Sequence, residues 1–161
     1  MHLNFGEGRA VRFAAVFAAG LAVAACAQKD PQSAAGTVAP GTAQDFIVNV
    51  GDRVFFTVDS SEVNSTAGAT LDRQAQWLNK YPRYTVMIEG HADERGTREY
   101  NLALGARRAA ATRAYLVSRG VSAQRLRTIS YGKERPVAVC DDESCWSQNR
   151  RAVSVLDNAG S

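Results

Sequence analysis

Along residues 46–157 the pattern of apolar and polar positions changes period several times, and each change marks an element. Residues 53–58, Arg-Val-Phe-Phe-Thr-Val, are rich in β-branched and aromatic side chains and follow a Gly51-Asp52 turn signal, which predicts a strand. Ala67, Leu71, Ala75 and Leu78 then recur at helical spacing behind Ser65 or Thr66 as candidate N-caps, and Tyr81-Pro82 stops the helix they predict. Residues 84–89 read as a second strand and residues 90–96, Gly-His-Ala-Asp-Glu-Arg-Gly, as a polar loop. A long Ala- and Leu-rich helix is predicted from Thr97 or Arg98 to Arg119, with Gly120 as its C-cap residue. Residues 126–131 read as a third strand, 136–148 as an irregular connection and 150–156 as a fourth strand. The order βαβα followed by strands predicts an α/β fold, an α+β two-layer sandwich with helices packed on one mixed sheet.

Ahead of this domain the pattern has no such periods. Arg9 and Arg12 precede residues 13–25, a run of Ala, Val, Phe, Leu and one Gly, which is the charged and then apolar arrangement of a secretory signal. The run is shorter than the roughly twenty residues a membrane-spanning helix needs. It ends Val23-Ala24-Ala25-Cys26, which resembles the lipobox of bacterial lipoproteins. That resemblance implies cleavage after residue 25, lipid on Cys26 and, because Ala27 and not Asp follows, sorting to the outer membrane. A plain secretory cleavage beside an incidental Cys is the alternative. Residues 27–45 are Ala, Gly, Pro, Gln, Ser and Thr with little apolar bulk, and they read as a tether. The expected organisation is a signal peptide over residues 1–25, lipidated Cys and tether over 26–45, a folded domain over 46–157 and a tail over 158–161.

Composition narrows the function. With 161 residues, 45% hydrophobic and 22% charged, the chain is an ordinary globular protein. Lys and Arg (19) nearly cancel Asp and Glu (16), so duplex nucleic acid is not an expected partner. Sixteen of the basic residues are Arg, whose planar fork grips anions of defined shape. Past residue 25 there is one His, no Gly-x-Ser-x-Gly elbow and no His-Glu-x-x-His pair, and Glu94 and Glu99 sit in a polar segment. No catalytic residue, cofactor or metal is therefore expected, and His91 is read as a brace for its loop. Cys140 and Cys145 bracket four residues in an exported chain, so a disulfide is expected, with free thiols or half of a zinc site as alternatives.

The runs Gly90-His91-Ala92-Asp93-Glu94-Arg95-Gly96-Thr97, Glu99-Tyr100-Asn101, Leu104-Gly105, Arg107-Arg108-Ala109, Ser130-Tyr131-Gly132-Lys133-Glu134 and Asn149-Arg150-Arg151-Ala152-Val153 resemble the OmpA C-terminal-like family. Within it they are most similar to the peptidoglycan-associated lipoproteins of the Tol-Pal system, over roughly residues 52–156. The resemblance implies an OmpA-like domain that binds peptidoglycan non-covalently through the diaminopimelate of its stem peptide. It also implies TolB and other Tol proteins as partners, a lipid anchor in the outer membrane with the domain in the periplasm, and support of envelope integrity and outer-membrane constriction during division.

The residues can be read without that likeness. Asn101, Leu104, Gly105 and Arg108 lie on one helical stripe, and Asp93 ends the loop that faces it. A carboxylate and a guanidinium at one mouth, near free helix N–H groups, suit a zwitterionic amino-acid end. The same two side chains could instead pair with each other as a clamp, and the pattern does not separate the two. The resemblance assigns Arg108 to the carboxylate of diaminopimelate and Asp93 to its ammonium, while Asn101 holds the Asp93 loop. It also brings in Asp59 and Ser61 from the loop after the first strand, although Val58 stands where the family usually has an aromatic residue. Alternation along the last strand lets one of Arg150 and Arg151 approach the pocket and leaves the other a solvated charge. Trp77 and Trp146 read as packing residues. The loop closed by Cys140 and Cys145 lies on another element from Asp93 and Arg108, so reducing it is expected to leave wall binding intact.

Overall fold

The computed structural model describes residues 38–157. The signal run, Cys26 and the 158–161 tail lie outside these residues. The domain begins earlier than composition suggests. Thr42 caps a short helix α1 (Ala43–Asp45) that runs on as a π-helical turn over Phe46–Val50. Asp45 is buried and accepts from the Gly41 amide and from Trp77 Nε1, each at 2.8 Å. Phe46 packs on the same indole, beside Tyr81 and Tyr84. Residues 41–45, read as tether, are thus part of the fold. A polar stretch is ordered here because one carboxylate satisfies donors from both sides.

Strand β1 (Arg53–Phe55) is followed by α2 (Ser65–Lys80), β2 (Thr85–His91), α3 (Arg98–Ser118), a 3-10 turn (Ala123–Arg125), β3 (Leu126–Gly132), α4 (Glu143–Asn149) and β4 (Arg151–Asp157). The sheet order is β1-β4-β2-β3, with β2 and β3 parallel and both β4 pairings antiparallel. The fold is the expected two-layer one, with α2 and α3 on one face of a mixed sheet. Ala67, Leu71, Ala75 and Leu78 are all buried against Val86, Ile88, Leu116 and Leu126. Asn64, and not Ser65 or Thr66, caps α2, accepting from the Ala67 amide at 2.9 Å.

Strand β1 stops before residue 58. Phe56 donates its amide to the Arg150 carbonyl at 2.8 Å, and the chain then turns through Thr57 and Asp59, whose φ is +53°. The expected strand over 53–58 is therefore half strand and half pocket loop. Part of the irregular connection is the helix α4, too brief for a periodicity to register. Between β2 and α3 the backbones nearly touch, since a Cβ on Gly90 would collide with the Gly105 carbonyl oxygen. This approach sets the first turns of α3 directly over the end of β2.

Candidate functional site

Where β2 ends, α3 begins and the loop after β1 turns, an open pocket of about 370 Å³ is lined by Val58, Asp59, Asp93, Arg95, Gly96, Tyr100, Asn101 and Leu104. Thr97 caps α3 at its mouth by accepting from the Tyr100 amide. Asp93, Asp59 and Asn101, all singled out from sequence, are on the wall. Ser61 is not, and the neighbouring Ser60 gives its carbonyl to Arg108. Asp59 accepts a hydrogen bond from the Tyr100 hydroxyl. Asn101 donates to the Arg95 carbonyl at 2.8 Å and so holds the Asp93 loop.

Asp93 does not pair with Arg108. It is gripped by Arg95, with Nη2 at 2.6 Å, and by Arg150, with Nη1 at 3.3 Å. Burial works against its ionisation, but the hydrogen bonds from Arg95 and Arg150 outweigh burial and hold the carboxyl below its ordinary value. It is an anion across the physiological range.

Arg108, one helical turn beyond the pocket residue Leu104, does not line the pocket and is 0% exposed. Its Nε donates to the Ser60 carbonyl (2.8 Å), Nη1 to the His91 carbonyl (2.9 Å) and Nη2 to the Thr57 carbonyl (3.1 Å), while its carbon centre sits 5.3 Å from the Phe56 ring. Among the described residues it makes no ion pair. Burial pushes its pKa down to about 10, which still leaves it charged at neutral pH. A buried cation satisfied only by neutral carbonyls is the arrangement an anionic ligand would relieve. Three of its five N–H donors are in use, so two remain.

Sequence reasoning missed three contributors. Arg95, in the polar loop, brings a second guanidinium to the pocket rim, 4.1 Å from the Trp146 ring. Trp146 is thus a lid on a cation and not a packing residue; only Trp77 belongs to the core. Tyr100 forms a wall. A signal for Arg95 existed in its spacing of two from Asp93, which fits a turn-closing ion pair. Of Arg150 and Arg151, the one that approaches the pocket is Arg150, through Asp93, and Arg151 is not the solvated charge expected of the other. It is 4% exposed and donates to the Arg135 and Asn149 carbonyls. His91 ends β2, where its ring stacks on Tyr131 with centroids 5.6 Å apart and neither nitrogen finds a hydrogen-bond partner. It braces by stacking. No cluster of residues suited to hold a metal ion occurs among the described residues. Cys140 and Cys145 are joined as a disulfide, with Cα atoms 5.7 Å apart.

Comparison with known proteins agrees with this fold. Residues 55–151 match the OmpA family. A peptidoglycan-associated lipoprotein of Rhizobium meliloti (strain 1021) is 70% identical over 149 residues, covering 88% of this chain and 85% of its own length. One from Haemophilus influenzae is 42% identical over 139 residues, 82% of this chain and 88% of its own. Among solved structures, the peptidoglycan-associated lipoprotein from Burkholderia pseudomallei superposes with a TM-score of 0.68 at 41% identity, over 72% of this chain and all of its own. The C-terminal domain of Helicobacter pylori MotB does so with a TM-score of 0.62 at 25% identity, over 66% of this chain and 84% of its own. This chain therefore belongs to the OmpA family and, within it, to the peptidoglycan-associated lipoproteins.

Proposed function

We propose that the protein is a non-catalytic outer-membrane lipoprotein whose periplasmic domain binds peptidoglycan in the Asp93 pocket, through the zwitterionic side-chain end of diaminopimelate in the stem peptide. Lipid on Cys26 supplies the membrane end. Working with TolB and other Tol proteins, it links outer membrane to wall, supports envelope integrity and assists outer-membrane constriction at division. The Tol partnership rests on family membership alone.

The observation that carries the wall-binding reading is an ionised Asp93 on the pocket wall close to a fully buried Arg108 that makes no ion pair of its own among the described residues. The ligand ammonium goes to Asp93, with Asp59 across the pocket. The carboxylate goes to the two free donors of Arg108, which it reaches when the loop of Thr57 and Ser60 yields, and to Arg95 at the rim. That arrangement leaves no charge of the ligand end unmatched.

Calorimetric titration of the full chain in detergent with matched diaminopimelate and Lys muropeptides tests it. A Lys stem peptide offers the ammonium without the carboxylate, so Arg108 keeps its desolvated charge unpaired. The expected cost is roughly 2 to 4 kcal/mol, or about 30- to 1000-fold in affinity. Equal affinity for the two ligands would overturn the assignment.

A further inference from the structure

The pocket is built by the loops after β1 and β2 and the start of α3. The helix α4 is not part of it, yet two of its side chains reach the same charges. Glu143 accepts from Arg150, at 3.3 Å from Nη1 and also from Nη2. Trp146 lays its ring against the Arg95 guanidinium, 4.1 Å from its centroid, and its Nε1 donates to Glu94 Oε1 at 2.9 Å. Arg95 and Arg150 are the two guanidinia hydrogen-bonded to Asp93.

With seven residues, α4 is too short to persist by its own helical hydrogen bonds. Asp142 caps it, accepting from the Ser144 amide at 2.7 Å, and the Cys140–Cys145 disulfide ties the preceding chain to its first turn. Asn149 fastens the same loop by bonding Val137 and Ala138.

We propose that the disulfide-closed loop and α4 form a working part of the binding site, in which Glu143 and Trp146 are positioning residues that fix Arg95 and Arg150 about Asp93. This deepens the diaminopimelate reading and rests on it. It also reverses the expectation that reduction leaves wall binding intact. An exposed guanidinium normally samples many rotamers, and ordering it on binding weakens affinity. Here Asp93 holds Arg95 along one edge through Nε and Nη2, and Trp146 covers its face, so the remaining donors are set before the ligand arrives. Glu143 draws part of the Arg150 charge away from Asp93, which keeps the Asp93 carboxylate attractive to an ammonium.

The test is titration of the full chain in detergent with a diaminopimelate muropeptide, with thermal melting in parallel. Five samples are compared: oxidised protein, protein reduced with a phosphine, oxidised and reduced Trp146→Ala, and oxidised Trp146→Phe. The phosphine supplies two electrons and water two protons, giving two thiols and a phosphine oxide. Reduction and Trp146→Ala should each weaken binding about tenfold, the scale of freeing one ordered side chain. Trp146→Phe should restore most of the affinity because the ring stays over Arg95. Reducing the Trp146→Ala protein should add little further loss, since both changes release the same guanidinium. Equal affinity in the oxidised and reduced protein, or wild-type affinity in Trp146→Ala, overturns this inference and leaves the pocket reading standing. No binding by the oxidised wild type overturns both. A loss in Trp146→Phe as large as in Trp146→Ala overturns the stacking role.

Discussion

His91 illustrates what burial does to one titratable side chain. Its ring is 2% exposed, stacked on Tyr131, with the guanidinia of Arg151 and Arg135 near and the Glu89 carboxylate 3.6 Å from Nε2. Burial first, and then those two cations, push its pKa from 6.5 down to about 4. The folded protein therefore binds this proton less readily than the unfolded chain does. Stability is full above about 6.5 and is lost as pH falls from there towards 4. Between pH 7 and pH 5 the loss should be about 2 kcal/mol, and urea titrations at the two values measure it. In His91→Gln the same interval should change stability little. Asp93 contributes in a lower window. Its folded pKa is depressed, so its share is present above the ordinary carboxylate value and disappears only as pH falls through the folded one. A stability curve flat from pH 7 to 5 in the wild type would refute the neutral, buried His91.

At the scale of elements, the crossover from β2 through α3 to β3 carries the pocket, and the contact of Gly90 with Gly105 sets its depth. A methyl on Gly90 meets a backbone carbonyl, which has no rotamer to move into, so α3 must lift from the sheet. Gly90→Ala should destabilise the domain by about 3 kcal/mol and abolish muropeptide binding, read by thermal melting and titration. An unchanged melting temperature would mean that the helix seats elsewhere. Both glycines stood in the sequence, but without a helix-to-strand register nothing told that they oppose each other. The long elements were legible for a different reason. Leu71, Leu78 and Leu116 are buried by periodicity, and Thr97 caps α3 by local chemistry. The site was legible in part. Asp93 and Asn101 follow from one loop and one helical face, whereas Arg95 and Trp146 meet only through a helix of seven residues. Strand alternation sends one of Arg150 and Arg151 off the pocket side, but it does not reveal that Tyr131, Arg135 and His91 lie on that other face around Arg151.

On the scale of the whole domain, β2 separates two functional ends. Tyr84, just before the strand, accepts the entering chain by donating its hydroxyl to the Gly41 carbonyl at 2.9 Å; Asp93 lies just beyond its other end. A strand of seven residues extends roughly 23 Å, so the chain enters the domain at the end remote from the pocket. That polarity suits a protein held by its N-terminal side and gripping the wall with its far side. Residues 27–40, between Cys26 and this docking point, can extend at most about 50 Å. None of the helices among the described residues is long and apolar enough to cross a membrane. On the proposed function the anchor is lipid on Cys26, where stable attachment takes more than one acyl chain. Cys26→Ala should keep the melting temperature and muropeptide affinity of the wild type, because Cys26 lies well before the first docked residue, Gly41. The variant should take up no labelled palmitate and should move from the detergent phase to the aqueous phase. Its wall binding should persist in cells, since sacculi retain whatever the Asp93 pocket holds. A Cys26→Ala protein still in the membrane, together with an unlabelled wild type, would assign the anchor to some other segment and remove the basis for a lipid-to-wall tether.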